Sequence, residues 1–364
     1  MFVAACLTLG SLQGIYTTAP GTGQLAHISN ISAPQLVPVG PALTTQGFSV
    51  PPADCGVAVT VDQTRKLHYT LARNASAPGG EWSLVGVQLE TGLVRTAQLL
   101  PEGFSLNSRC SHTLDVDDAD RVLVTAPQLL APEPAARGGG SSGAGPRLSL
   151  KVVRISPDSG KTEILSAGAP PPPVFPREGA PRRAVSAAAG QQQPPPSSAF
   201  HDLSNTLWLQ LGASIVGFNV TSRAVDRSVR LPAGLAGGGG TAGGLAGLSF
   251  DVYTASLLTT VQEAGSGMSI GSFDPGALAP ALALTSVAPR ALSIAINDSR
   301  SLTVVQDKGV STFVVVGASP STPAGSWEYV HLHHNGTAIG AAEACTKEAE
   351  CPSSVLFEPF VFRS

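Results

Sequence analysis

Two stretches of the chain lie in register. Cys55-Gly-Val-Ala-Val-Thr-Val-Asp62-Gln-Thr-Arg-Lys-Leu67-His-Tyr-Thr70 aligns with Cys110-Ser-His-Thr-Leu-Asp-Val-Asp117-Asp-Ala-Asp-Arg-Val122-Leu-Val-Thr125. Each reads as a short apolar strand, an acid, a polar turn and a second strand. One such unit cannot bury its own apolar face, so repetition along a chain implies stacked copies of one β unit. The spacing returns at Asp202 with Leu207 and, with asparagine in place of the acid, at Asn297 with Leu302. Asp251 with Leu257 is one residue longer.

A second hairpin follows each copy. Trp82 to Leu100 turns at Thr91-Gly92, and Leu148 to Leu165 turns at Asp158-Ser-Gly160. Ile215 to Leu231 turns after Asn219, and Met268 to Leu278 turns at Asp274-Pro-Gly276. Apolar alternation bounded by Gly, Asp, Asn and Pro is the signature of strands and turns. One unit is therefore a four-stranded meander of about 45–50 residues, the length of a β-propeller blade.

Units begin near Val57, His112, Ala199, Leu248 and Leu292, and a sixth is assembled from both chain ends. Gly14–Thr18, Gln24–Ile28 and Gln35–Val39 supply its strands two to four, with Val355–Phe362 as the first. Pairing the ends closes the ring and removes exposed sheet edges. The expectation is an all-β fold over residues 1–364: one propeller of antiparallel four-stranded blades, six in number, with seven the alternative. The apolar segment 1–13 reads either as a signal-peptide remnant or as the first strand. Segments 131–147, 166–198 and 232–247 are rich in Pro, Gly, Ala or Ser and read as disordered insertions.

With an Asp, a strand and an Asp/Thr-Gly hairpin per copy, the units resemble the divergent repeats of YVTN/PQQ-like β-propellers over most of the chain. The Trp-Asp signature of WD40 repeats is absent. No family motif matches, so the resemblance implies a fold and brings no active site with it.

The compartment is read from asparagine and cysteine. Five of the seven asparagines open an Asn-x-Ser/Thr triplet: Asn30, Asn74, Asn219, Asn297 and Asn335. Beyond Cys6 four cysteines remain, an even number: Cys55, Cys110, Cys345 and Cys351. Cys55 facing Cys110 and Cys345 closing on Cys351 is one of three pairings. These features point to a glycosylated, disulfide-bonded protein of the secretory pathway or cell exterior; free thiols and unused triplets would make it a cytoplasmic scaffold.

At 13% charged residues and a formal net charge of −3, the chain carries no basic stripe for nucleic acid. No run nears the ~20 apolar residues of a membrane helix. Asp62, Asp117, Asp202 and Asp251, with Asn297, either ring the central channel as ligands for a divalent metal or cap their own turns. Asp115 to Asp120 is the densest acidic run and lacks the glycine of a calcium loop. His331 and His333 share a strand face without an assignable third ligand. No nucleophile elbow is present, and the glycine clusters precede neither helix nor lysine, so no cofactor is expected. The functional expectation is a monomeric binding module for a protein or glycan, with a metal-assisted hydrolase or lactonase as the alternative.

Overall fold

A computed structural model describes residues 15–19, 21–28, 36–51, 58–76, 81–102, 104, 112–130, 147–166, 197–211, 214–232, 245–251, 254–263, 267–286, 298–307, 310–318, 327–333, 343–345 and 355–357. Side chains are described for most of these residues up to Leu284 and for none beyond it. Among these residues the fold is all-β, with 3-10 turns only at Leu43–Gln46 and Asp202–Ser204.

The described strands fall into six sheets. The first holds β1 (Ile15–Thr18), β2 (Leu25–Ile28) and β3 (Leu36–Pro38). The second holds β4 (Phe48–Ser49), β5 (Val59–Asp62), β6 (Leu67–Asn74), β7 (Trp82–Gln88) and β8 (Val94–Leu99). The third holds β9 (Thr113–Val116), β10 (Val122–Leu130), β11 (Arg147–Ser156) and β12 (Lys161–Ser166). The fourth holds β13 (Ser197–His201), β14 (Thr206–Leu211), β15 (Ser214–Asn219) and β16 (Ala224–Ser228). The fifth holds β17 (Leu245–Asp251), β18 (Ser256–Glu263), β19 (Gly267–Phe273) and β20 (Ala283–Ser286). The sixth holds β21 (Asp298–Asp307), β22 (Val310–Ala318), β23 (Trp327–His333) and β24 (Glu343–Cys345). The last strand, β25 (Val355–Phe357), returns to the first sheet and pairs antiparallel with β1, Thr17 opposite Val355. First strands pack in a cycle: β5 on β9, β9 on β13, β13 on β17, β17 on β21, β21 on β25, and β25 on β5.

Period-two alternation explains the packing. On β6, Leu67, Tyr69 and Leu71 join a core with Leu114, Val122, Val124, Val153 and Ile155 of the third sheet. The opposite face, with Ala72, packs toward Tyr16 and Leu25 of the first sheet. Strands two and three of a sheet are thus sandwiched on both faces, and β6 and β7 are buried along most of their length. The fourth strand has a neighbour on one side only, and β8 alternates between half-buried and exposed. The same logic places Trp208 of β14 edge-on to Phe273 of β19, with ring centroids 5.1 Å apart. Where a bulky side chain crosses a partner strand, glycine makes room. Tyr69 lies opposite Gly86, and a Cβ there would sit 2.8 Å from the tyrosine ring. Trp208 lies opposite Gly217 in the same way.

Turns between first and second strands share a left-handed residue near the end of the turn: Lys66 (φ 55°), Asp120 (φ 54°), Asn205 (φ 50°) and Ala255 (φ 51°). This conformation crowds Cβ against the backbone, while asparagine tolerates it better than alanine. Ala255→Gly is expected to raise stability by about 0.5 kcal/mol after the extra chain entropy of glycine is offset. Asn205→Gly is expected to gain nothing, since it also removes the Asn205 Nδ2 bond to Thr221 Oγ1 at 2.6 Å. Urea midpoints of the two variants check the contrast.

Two details depart from the sequence expectation. The spacing from Asn297 to Leu302 predicts a turn over Asp298–Ser301, but these residues belong to β21, whose β-branched Thr303-Val-Val305 run extends the strand; a register shift between Ser299 and Ser301 absorbs the polar stretch. The short β4 was not anticipated and shares with β5 one edge of β6. The low-complexity tracts lie outside the described residues except at their ends, where Arg147, Ser166, Ser197, Ser198 and Leu245–Gly247 belong to strands and Pro232 follows the fourth sheet. Segment 1–13 also lies outside them.

Candidate binding face

In an antiparallel meander the 1–2 and 3–4 hairpins emerge at one end of the sheet and the 2–3 hairpin at the other. Polar contacts join the first kind of end between neighbouring sheets. Arg65, in the 1–2 turn of the second sheet, donates from Nη1 to Asp62 Oδ2 (2.6 Å) and to the Asp120 carbonyl (2.8 Å). Its Nε donates to Asp158 Oδ1 at 2.9 Å, and Nη2 donates to the other oxygen of that carboxylate. These bonds, led by the one to Asp158, hold the guanidinium well above its ordinary pKa. The exposed Asp158 carboxyl is lowered in turn by Arg65. Further along, Arg223 Nη2 pairs with Glu163 Oε1 at 2.6 Å, and Arg227 Nη1 donates to the Pro275 carbonyl at 3.1 Å. An arginine-laced belt therefore ties the second to fifth sheets at their hairpin ends.

The sequence-predicted acids occupy this end. Asp62 is buried and its Oδ1 accepts the Arg65 N–H at 2.9 Å. Asp117, also buried, accepts the N–H groups of Ala119 (3.1 Å) and Arg121 (3.0 Å) on Oδ1, while Oδ2 takes Arg121 Nε at 2.9 Å. Arg154 stands 3.2 Å from that same Oδ2. Asp251 Oδ2 accepts the Thr254 hydroxyl at 2.8 Å. Asp202 is exposed and opens a 3-10 turn, its carbonyl taking the Asn205 N–H at 3.0 Å. Asn297 lies outside the described residues. Three of the acids thus have oxygens committed to their own turns, and among the described residues no group of three His, Cys, Asp or Glu is placed to hold a metal ion. Asp62→Ala is expected to cost about 2 kcal/mol, because it leaves a partly buried turn N–H unpaired and takes one carboxylate from Arg65, which keeps Asp158. Asp158→Ala, at the exposed end of the same clamp, is expected to change little. Urea unfolding of both variants provides the comparison.

Asp115 behaves differently. It sits half-buried in β9, a first strand, and its carboxyl is pushed up to about 7, chiefly by burial and further by Asp202. The N–H groups of Val116 (2.8 Å) and Phe200 and the Ser198 hydroxyl donate to it and limit the rise. A carboxyl that titrates near neutrality can exchange a proton with a ligand. Its signal in the sequence was an acid enclosed by Leu114 and Val116 inside a strand, masked by the more conspicuous acids of the following turn. Nearby, His201 Nδ1 lies 2.6 Å from Ser204 Oγ and its ring leans on Phe250 at 5.4 Å. Burial lowers the His201 pKa.

Two leucines stand out among the polar turns at this end. Leu203 is 93% exposed in the 1–2 turn of the fourth sheet, and Leu278 is 89% exposed beyond the 3–4 turn of the fifth. Neither was singled out from sequence, where a leucine in a turn resembles any other apolar position.

Of the glycosylation triplets, Asn74 is exposed at the opposite end, with Oδ1 accepting the Ser76 N–H at 2.9 Å. Asn219 is half-buried at the end of β15, and its Oδ1 accepts the N–H groups of Thr221 and Ser222. Asn30, Asn297 and Asn335 lie outside the described residues, as do Cys55, Cys110 and Cys351. Cys345 lies in β24 opposite Trp327, and His331 and His333 in β23; their side chains are outside the described set.

Among the described residues the strand order and hairpin pattern are those of antiparallel sheets, five of four strands and one of five, similar to divergent β-propellers. Solved structures with similar folds include TolB from Acinetobacter baumannii (TM-score 0.49, 8% identity), matching 95% of this chain and 66% of that one. They also include a periplasmic gluconolactonase from Pseudomonas aeruginosa (TM-score 0.47, 11% identity), matching 95% and 98%. A quinonprotein alcohol dehydrogenase-like protein from Bacteroides thetaiotaomicron matches at TM-score 0.44 and 8% identity, over 95% and 78%. Likenesses this distant carry no activity across. No family model and no curated protein matches the chain.

Proposed function

We propose that the chain is a single six-bladed β-propeller that works as a monomeric binding module in the secretory pathway or outside the cell. The cyclic packing of β5, β9, β13, β17, β21 and β25, with β25 beside β1, supports the closed ring. The low-complexity tracts are then passive insertions in or between blades. The observation that carries the binding role is the pair Leu203 and Leu278, solvent-exposed at the hairpin end of adjacent sheets beside an ordered arginine–carboxylate belt. Apolar anchors rimmed by polar groups are what a protein-binding surface offers. Among the described residues no helix is long and apolar enough to cross a membrane.

The test has two arms. A photo-crosslinking residue at 203 or 278, in protein secreted from eukaryotic cells, is expected to capture the same partner, while one at the exposed Leu99 on β8 captures none. Equal labelling from all three positions would refute a binding face at this end. Intact mass before and after glycosidase, with and without reduction, tests the compartment: the proposal predicts glycan loss and four cysteines alkylated only after reduction. An unmodified protein with free thiols would make it a cytoplasmic scaffold.

A second reading, a hydrolase or lactonase, has one observation in its favour: Asp115, protonated near neutrality beside Asp202. Under that reading Asp115→Asn abolishes turnover of a lactone or glycoside panel while leaving partner capture at residue 203 intact.

A further inference from the structure

Leu203 and Leu278 are presented to solvent by ordered turns. Asp202–Ser204 form a 3-10 turn closed by the left-handed Asn205, whose N–H reaches the Asp202 carbonyl at 3.0 Å. Ser204 is fixed twice: its Oγ lies 2.6 Å from His201 Nδ1, and its carbonyl accepts the Thr206 hydroxyl at 3.0 Å. Leu278 lies between Pro275 and Pro280, which are both buried. Asp274 Oδ1 accepts the Gly276 N–H at 2.8 Å, the Pro275 carbonyl takes Arg227 Nη1, and the Pro280 carbonyl takes the Arg230 N–H at 2.8 Å. Apolar groups on backbone that is already ordered lose little conformational entropy when a partner covers them.

The two turns share one electrostatic environment. His201, directly before Asp202, is buried against Phe250 of the fifth sheet. Burial dominates its lowered pKa, yet Asp274 pulls that value up and Arg227 pulls it down, so the 274–278 turn lies within charge range of β13. Asp202 acts across the seam on the other side, where it adds to the effect of burial on Asp115. Asp202 and Asp274 are exposed, and so is Asp118 in the 1–2 turn of the third sheet. The arginines at this junction are engaged: Arg223 pairs with Glu163, and Arg227 holds the Pro275 carbonyl with Asp226 3.9 Å away. Each exposed leucine therefore has an exposed carboxylate in its own turn, and the accessible charge around the pair is negative among the described residues.

Resting on the binding-face reading above, we propose that the partner is a basic protein segment, whose apolar side chains cover Leu203 and Leu278 and whose Lys or Arg side chains meet Asp202 and Asp274. Complementary charge steers the encounter and fixes the register, while the apolar contacts carry most of the affinity. The same carboxylates oppose nucleic acid and an anionic lipid surface, since either would set like charge against like.

The experiment selects displayed random peptides of about a dozen residues on the full chain, with counter-selection on the Leu203→Ser/Leu278→Ser variant. Peptides that need the leucines are expected to be enriched in Lys and Arg beside apolar residues. For one such peptide, synthesised and titrated at low salt, Asp202→Asn with Asp274→Asn is expected to weaken binding about fivefold. High salt should shrink that difference, because exposed charges are screened. Glu81→Gln with Glu102→Gln, two exposed acids at the opposite end, is expected to change nothing. Leucine-dependent peptides that are acidic or uncharged, or an affinity indifferent to the paired Asn substitutions, would overturn the basic partner and leave the binding face standing. Recovery of no leucine-dependent peptide would count against both.

Discussion

Gly92→Ala is expected to destabilise the protein by about 3 kcal/mol, against about 1 kcal/mol for Gly47→Ala. Both glycines are left-handed, at φ 66° and 86°. They differ in what a methyl group would meet. A Cβ at Gly47 has nothing within 4 Å, whereas one at Gly92 would collide with the Val39 carbonyl and the Gly40 backbone. A Cβ at Gly40 would collide with Thr91 and Gly92 in return. The first and second sheets thus touch backbone to backbone at this point, stitched by Gln46, whose Nε2 donates to the Gly92 carbonyl (2.9 Å) and whose Oε1 accepts the Val94 N–H (2.9 Å). Neither backbone can yield without dragging its sheet. Urea unfolding with an unchanged m-value measures both losses. Equal costs would mean that the two sheets do not approach as described.

The second large effect is acid sensitivity. His68 and His112 are buried, and burial lowers each pKa to about 4 from an ordinary 6.5. Each ring has a hydrogen-bonded atom: His68 Nε2 lies 3.1 Å from Thr18 Oγ1, and His112 Nε2 lies 3.2 Å from the Phe104 carbonyl. For a base whose folded pKa is depressed, the unfolded chain binds the extra proton. The stabilising contribution is full above 6.5 and is lost as pH falls toward 4. Asp115 works in the opposite sense. Its folded pKa of about 7 exceeds the ordinary 3.8, so the folded chain holds a proton that the unfolded chain lacks across most of that window. The pair of histidines outweighs it by about one proton, or about 1.4 kcal/mol of stability lost per pH unit. Asp115→Asn removes the opposing proton and is expected to steepen the loss to about 2.7 kcal/mol per unit. Burial also lowers His27 and His201, which adds to both slopes and leaves their difference unchanged. Stability in urea between pH 4 and 6.5 gives the two slopes; identical slopes would mean that Asp115 is ionised throughout.

The repeat carried most of the architecture, because spacing between an acid and the next apolar strand survives substitution of nearly everything else. It located the first two hairpins of the second and third sheets and the three short strands of the first. Counting strands also calls for the chain end to return to the N-terminal sheet, and within the described residues Val355–Phe357 pairs with β1. The repeat misplaced Asp298–Ser301, which the spacing from Asn297 to Leu302 reads as a turn, whereas the Thr303-Val-Val305 run favours strand. The candidate site was far less legible. Asp62 and Asp117 look alike whether they hold a metal or a turn N–H, and only the positions of Arg65 and Arg121 distinguish the cases. Asp115 acquires its character from burial between sheets and from Asp202 on the neighbouring one. Such properties arise between sheets, and no local pattern records them.

The closed ring is the central claim, and it rests on β25 lying beside β1. The most direct test replaces Thr17 and Val355 by cysteine and maps disulfides by peptide mass after mild oxidation. Directly opposite residues on antiparallel strands bring their Cβ atoms to about 5 Å, close enough to bridge. The account predicts a peptide linking positions 17 and 355 in the folded protein, lost when the chain is unfolded before oxidation. A folded protein in which both cysteines are recovered separately would contradict it.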